Sequence, residues 1–215
     1  MILITDSDKT RRDTVAEMFY YMGILARSVK PEQVDREIHR GYSALLFTSP
    51  ESTHGAAIIA ARIRAVSEVT VAAICSEKDD AFELVFPKGS YSASIAASIS
   101  RYRRERGLSV LGKYECMGFN ASSDAPSVTY LGEPINLTRT EAMILRYLIR
   151  SYPTPACPSD ILKFAFRPTR APELSSVRTH ISIMNKKLRE AIGRPLTDTS
   201  ARGGYVLSGA VTATV

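Results

Sequence analysis

Short apolar runs alternate with helical patterns through the first hundred residues, and this alternation limits the fold more than any other feature. "ILIT" (2–5) is an apolar strand ending on Asp6, and a helical pattern follows with Val15, Met18, Phe19 and Met22 on one face and Gly23 as its stop. "ILARSV" (24–29) reads as a strand, and "PEQVDREIHRG" (31–41) as a helix with Pro at its start and Val34 and Ile38 inward. A strand through Ala44, Leu45, Leu46 and Phe47 leads to an Ala-rich helix over 54–66, then to "VTVAAIC" (69–75), "ELVF" (83–86) and the helix "SASIAASISRYRRE" (92–105). Strands that alternate with helices predict an α/β domain, a doubly wound parallel sheet with both faces covered.

In such a sheet the functional groups sit at the carboxyl ends of the strands. The strand over 44–47 ends on Thr48, a hydroxyl where a carboxylate would be the stronger functional group. Whether Thr48 marks a silenced site or no site at all is the first question the chain raises.

Charge separates the two halves. Of the net +6, about +1 falls in residues 1–107 and about +5 in 108–215, and most of the excess lies between Lys163 and Arg202. A basic half joined to a neutral one points to a polyanion-binding module attached to something else, and the plainer reading is a solvated basic surface. Three cysteines (Cys75, Cys116, Cys157) without CxxC spacing argue against a disulfide framework and a zinc site, and for a reducing cytoplasm. "MILITDSD" lacks the basic-then-apolar pattern of a secretory signal, and no apolar run approaches the ~20 residues of a membrane span. No cofactor is expected. The chain has no GxxxxGK, HExxH or GxSxG, and its histidines are scattered at 39, 54 and 180, so an enzyme is not expected.

The order of elements over about residues 1–105 resembles the receiver domain of bacterial response regulators. The resemblance implies a site in which an aspartate at the end of the third strand is phosphorylated, beside a carboxylate pair that holds magnesium, a hydroxyl and a lysine. In this sequence Asp6 matches the first acid, Ser7 replaces the second, Thr48 stands at the acceptor position, Cys75 replaces the hydroxyl and Lys88 matches the lysine, although Gly89 follows it where proline is usual. Magnesium needs several hard oxygen ligands. Of the three acids only Asp6 remains, with Asp8 a misplaced substitute. Asp6 and Lys88 together sum to about zero and can form a simple ion pair; the alternative is that Asp6 and Asp8 are solvated carboxylates at a strand end. Thr48 cannot form an acyl phosphate, so the implied chemistry is absent. Twelve residues separate Cys75 from Lys88, too few for the family's fourth helix, which is expected to be missing or vestigial. The usual receiver dimer face is then in doubt.

The second half carries a different pattern. "SVTYLGEPINLT" (127–138) predicts a hairpin turning at Gly132 and Glu133. Thr138 and Glu141 form a T-x-x-E capping box at the start of an amphipathic helix with Ala142, Leu145, Leu148, Ile149 and Tyr152 inward. "CPSDILKFAF" (157–166) predicts a short second helix with Pro158 in its first turn. A third helix, from about Glu173 to Ile192, has Val177, Ile181, Met184 and Leu188 as its core stripe. Its other face presents Arg178, Thr179, Ser182, Asn185, Lys186 and Arg189, donors suited to base edges and phosphates. "PLTDTSARGGYVLSG" (195–209) reads as a hairpin containing Thr199, Arg202 and Tyr205, with its turn at Gly203 and Gly204.

"INLTRTEAMILRYL", "SVRTHISIMNKKL" and "GGYVL", in that order, resemble the OmpR/PhoB-type winged-helix effector domain over about residues 110–208. The resemblance implies that the third helix and the wing contact DNA through Arg178, Thr179, His180, Ser182, Asn185, Lys186, Arg189, Thr199, Arg202 and Tyr205. His180 has two open readings, a phosphate contact and a helix-packing residue. The expected organisation is a receiver-like domain (1–106), a short linker (107–112), a winged-helix DNA-binding domain (113–208) and a tail (209–215). The expected function is sequence-specific, phosphorylation-independent transcription regulation in the cytoplasm. Double-stranded DNA is the main expected partner, with a second copy of the chain at least on DNA, and RNA polymerase. Two alternatives are a receiver-like half that senses a small ligand or partner protein, and an adaptor that no longer binds DNA.

Overall fold

Strands β1 (Ile2–Thr5), β2 (Ala26–Val29), β3 (Ala44–Phe47), β4 (Thr70–Ile74) and β5 (Leu84–Phe86) pair in parallel in the order β2-β1-β3-β4-β5. The computed structural model describes residues 1–50, 53–76, 80–122, 128–167, 173–193, 197–199 and 204–207. The chain divides into two compact units, Met1–Leu111 and Gly112–Val215.

In the first unit the strands are joined through helices α1 (Lys9–Tyr21), α2 (Val34–Ile38, preceded by a 3-10 turn over Pro31–Gln33) and α3 (Thr53–Val66), and α4 (Ser92–Glu105) follows β5. Side chains alternate across the strands. Ile2, Ile4, Ala44, Leu46, Ala72 and Ile74 face one core with Phe19 of α1 and Ile95 and Ile99 of α4. Leu3, Leu45 and Val71 occupy the opposite face and are fully buried. This α/β class is the one the alternation predicts. The inward face of α1 differs from expectation: Phe19 is buried, but Met18 is 48% exposed and Tyr20 takes the buried place.

Between β4 and β5 the described residues contain no helix. Phe82 fills part of that space, buried with its ring centroid 5.7 Å from that of Phe47. Glu83 anchors the segment to β4 by accepting the Val71 amide at 2.6 Å, and Arg64 donates to the Ala81 carbonyl at 2.8 Å.

The stretch 107–111, expected as linker, belongs to the first unit. Arg103 is buried in α4 and donates to the Ser109 carbonyl at 2.6 Å, the Ser43 carbonyl at 2.6 Å and the Glu68 carbonyl at 3.0 Å. Leu111 joins the α1/α4 core. Hydrogen bonding to a buried guanidinium, together with an apolar anchor, makes this segment part of the packed domain.

The second unit begins with an antiparallel sheet, β6 (Lys113–Cys116), β7 (Phe119–Ser122), β8 (Val128–Tyr130) and β9 (Glu133–Ile135), paired in chain order. The β8–β9 turn is centred on Leu131 and Gly132, one residue earlier than expected, because Tyr130 and Glu133 are paired. Both turn residues have positive φ, 48° and 93°, the conformation whose twist matches a two-residue hairpin. Three helices follow, α5 (Arg139–Ser151), α6 (Pro158–Ala165) and α7 (Leu174–Ile192), and then the antiparallel pair β10 (Thr197–Thr199) and β11 (Tyr205–Leu207). A small sheet, three helices and a closing hairpin make a winged helix. No helix among the described residues is long and apolar enough to cross a membrane.

Candidate nucleic-acid interface and the carboxyl end of the parallel sheet

The capping box at the start of α5 forms as its spacing predicts. Glu141 donates its amide to Thr138 Oγ1 at 3.4 Å, and Thr138 donates its amide to Glu141 Oε2 at 2.7 Å. The same carboxylate oxygen takes the Lys187 ammonium of α7 at 2.7 Å. Glu141 is only 2% exposed. Burial pushes its carboxyl up, but the Lys187 ammonium and the Thr138 donors outweigh that and hold it below its ordinary value. One buried carboxylate therefore both starts α5 and ties it to α7. The T-x-x-E pattern reveals the cap; no sequence signal marked Lys187 as its partner.

Helix α5 itself is buried on more than one side. Ala142, Leu145, Leu148 and Ile149 are inward as expected, but so are Met143, Ile144, Tyr147 and the charged Arg146, while Tyr152 is 39% exposed. Arg146 donates to the Ser122 carbonyl at 3.2 Å, tying the helix to the small sheet. Tyr147 stacks on Phe164 of α6 with ring centroids 5.0 Å apart.

Helix α7 buries Val177, Ile181, Met184 and Leu188, the stripe its periodicity predicts. Arg178, Thr179, Ser182, Lys186 and Arg189 are exposed. Two expected contacts sit differently. Asn185 is half-buried, and its amide donates to the Thr197 carbonyl at 3.3 Å, fastening α7 to β10. His180 is half-buried with its ring edge against Phe166, centroids 5.4 Å apart, which favours its packing role. The Thr179 hydroxyl turns back to the Ser175 carbonyl at 3.3 Å. The exposed surface also includes Ile183, 44% exposed, and the acid Glu190, four residues beyond Lys186 on the same helix line. Neither was among the expected contacts.

Thr199 ends β10 opposite Tyr205. The Tyr205 amide donates to the Ala156 carbonyl at 2.9 Å, and the Ala156 amide donates to the Tyr205 carbonyl at 2.7 Å. The wing is thereby pinned to the α5–α6 connection. Arg202, the expected turn residue Gly203 and the tail 209–215 lie outside the described residues.

At the carboxyl end of the first unit's sheet, Asp6 is 3% exposed and Thr48 4%. The Thr48 hydroxyl donates to Asp6 Oδ2. Asp6 Oδ1 accepts the Asp8 amide at 2.8 Å, and the Arg11 guanidinium stands 3.4 Å from Oδ2. The cation on Asp6 is Arg11, one turn into α1, and the expected ion pair with Lys88 does not form. Lys88 is exposed in the turn after β5, while the first turn of α1 brings Arg11 back over the strand end. Asp8 is the N-cap of α1, accepting the Arg11 amide at 3.1 Å, and this donor holds its carboxyl below the ordinary value. Ser7 is exposed and Cys75 half-buried. Among the described residues no three His, Cys, Asp or Glu side chains gather as a metal site.

Beside this cluster lies a cavity of about 200 Å³, lined by residues including Thr5, Asp6, Pro31, Phe47, Ala56 and Ile59. It sits where the strand order turns between β1 and β3, the usual ligand position in a doubly wound sheet.

No family model matches the sequence, and no curated protein does. Solved structures are similar to it at low identity. The response regulator DrrB of Thermotoga maritima, described as an OmpR/PhoB homolog, is 19% identical with a TM-score of 0.41, covering 97% of this chain and 98% of that one. A structure described as a novel family of redox sensors in the streptococci, evolved from two-component response regulators, is 15% identical with a TM-score of 0.40, covering 96% and 98%. The DNA-binding domain of the response regulator AdeR, in complex with an intercistronic region, is 22% identical with a TM-score of 0.40, covering 44% of this chain and 98% of that one.

Proposed function

We propose that this chain is a sequence-specific DNA-binding transcription regulator of the response-regulator type, and that its receiver-like unit works without phosphorylation. The observation that carries the first part is α7. A 19-residue helix has a fully packed inner stripe and a donor-rich outer face, and a wing follows it. That helix would enter the major groove and the wing would meet the minor groove or its backbone. Arg178, Ser182 and Arg189 lie near one line of the exposed face, with Thr179 and Lys186 beside it. One winged helix covers too few base pairs to be selective in a genome, so two copies would bind half-sites about 10–10.5 bp apart. RNA polymerase would be a further partner, and the cytoplasm the site of action.

Thr48 supports the second part. It supplies no carboxylate to attack a phosphoryl donor, and its hydroxyl is already bonded to Asp6. Arg11, which also reaches Asp8 at 3.4 Å, gives the buried Asp6 carboxylate a cation from the chain itself.

Selection of bound duplexes from a randomised library by the full chain, followed by footprinting, tests the reading. Enrichment of a motif present as two half-sites in one footprint is the expected result. A bound pool indistinguishable from the input library would overturn sequence-specific binding.

A further inference from the structure

We infer that the cavity at the carboxyl ends of β1 and β3 is a binding site for a small uncharged molecule that is mainly apolar and carries one hydrogen-bonding group. The site stands whether or not the second unit binds DNA.

The first observation is the cavity, which lies between the sheet and α3. Thr5 and Phe47 are register partners on neighbouring parallel strands, so their side chains share a face, and both line it. Pro31, Pro50, Ala56 and Ile59 line it with Asp6, Ser7, Ser49 and Gly55, and the surface they expose together is mostly apolar. An apolar cavity of about 150 Å³ can hold a benzene ring; this one, at about 200 Å³, has room for one ring and a small substituent.

The second observation is independent. Thr5 is 1% exposed, and its hydroxyl oxygen has no hydrogen-bond partner. Buried polar atoms are nearly always paired, and one that is not calls for an explanation. A ligand group hydrogen-bonded to Thr5 supplies it, since a hydroxyl can both donate and accept.

Charge narrows the class. The carboxylate bordering the cavity, Asp6, is committed to the Thr48 hydroxyl, the Asp8 amide and the Arg11 guanidinium. A cationic ligand would find that acid already paired with Arg11, and an anionic one would lose its hydration against a mostly apolar lining whose described residues include no Lys or Arg. An alcohol, phenol or ketone on a compact apolar body fits both constraints.

The test uses the full chain with three probes, phenol, toluene and benzoate, followed by amide chemical shifts and calorimetry. Phenol is expected to bind saturably, with shifts at Thr5, Phe47 and Ala56; toluene should bind roughly tenfold more weakly, the worth of one buried hydrogen bond; benzoate should not compete. Thr5→Val, which keeps the shape and removes the hydroxyl, should bring phenol down to the affinity of toluene. Ile59→Phe, at a half-buried helix position, should block both while leaving the unfolding midpoint near that of the parent. Absence of saturable phenol binding to the folded parent overturns the proposal. Benzoate binding more tightly than phenol, or phenol affinity unchanged in Thr5→Val, does so as well.

Discussion

The Thr48 hydroxyl donates a hydrogen bond to the Asp6 carboxylate across the carboxyl ends of β3 and β1. Both residues are buried, and Arg11 completes the balance on Asp6 from α1. The cluster is thus a structural tie between two strands and a helix.

Incubation with acetyl phosphate and magnesium should leave no hydroxylamine-sensitive phosphoryl group on the chain. Thr48→Asp should not restore one, because Ser7 leaves a metal site short of a ligand. The same substitution places a second carboxylate against buried Asp6, and one of the two must then hold a proton. Loss of the hydrogen bond and the like-charge contact together should lower stability by about 1–3 kcal/mol. Mass spectrometry and urea denaturation check the two outcomes separately.

Arg103 should be among the costliest single positions in the first unit. It is buried and donates to three backbone carbonyls from different segments and to the Thr70 hydroxyl at 3.1 Å. Arg103→Met keeps much of the apolar stem but leaves those acceptors without their donor, which should cost about 2–4 kcal/mol. The urea midpoint of the variant gives the value, and proteolysis should begin near 107–111, where the chain loses its anchor.

The strand-helix alternation, the core stripe of α7 and the cap of α5 were all legible in the sequence, because periodicity and T-x-x-E spacing are local signals. The inferences that missed depended on tertiary contact. Asp6 takes Arg11 and not Lys88, and this follows from how α1 leaves the strand. Glu141 and Arg146 are buried because the small sheet and α7 close over α5, and hydrophobic patterning is blind to buried charge. The β6–β7 hairpin carries no recognisable signal either. Its turn residues, Met117 and Gly118, have φ of 53° and 83°, but Met-Gly lacks the Asn or Asp that usually announces such a turn. Helix phase alone sets Asn185 on the recognition face, and its tie to Thr197 draws it toward the interior; His180, which enters only through the resemblance and with a packing role left open, lies against Phe166.

Glu141 should make the second unit acid-sensitive. Its carboxyl is held below the ordinary value of 4.5, so the folded state binds the proton less tightly than the unfolded chain does. The stability this contributes is fully present above pH 4.5 and declines as pH falls through the folded-state value below it. Glu141→Gln should therefore be less stable than the parent at pH 7, with the gap narrowing on the acid side of 4.5. Lys187→Met should cost about 1–3 kcal/mol at pH 7, since the buried carboxylate loses a hydrogen bond from a partly exposed ammonium. Denaturant titrations of both variants across that range give the comparison, and a gap that is constant with pH would refute the coupling.

The last prediction separates residues of α7 that read sequence from those that hold the backbone or the wing. Arg178 is exposed in the first half of α7, about a quarter turn from the buried Val177 stripe. In a groove-bound helix its guanidinium can pair with guanine O6 and N7, so Arg178→Ala should cost about 1–3 kcal/mol and relax preference at one base position. Lys186 lies two turns further on and reaches out as a phosphate contact. Its replacement by alanine should weaken all sequences alike and lower the salt slope by about one. Asn185 belongs to a third class. Its amide holds the Thr197 carbonyl, so Asn185→Ala should loosen β10, lowering thermal stability by about 1 kcal/mol and reducing DNA affinity without changing which base is preferred. Binding isotherms on matched and scrambled duplexes at several salt concentrations, with thermal unfolding of each variant, distinguish the three. If Arg178→Ala lowers affinity for matched and scrambled duplexes equally, its role is backbone contact and not base reading.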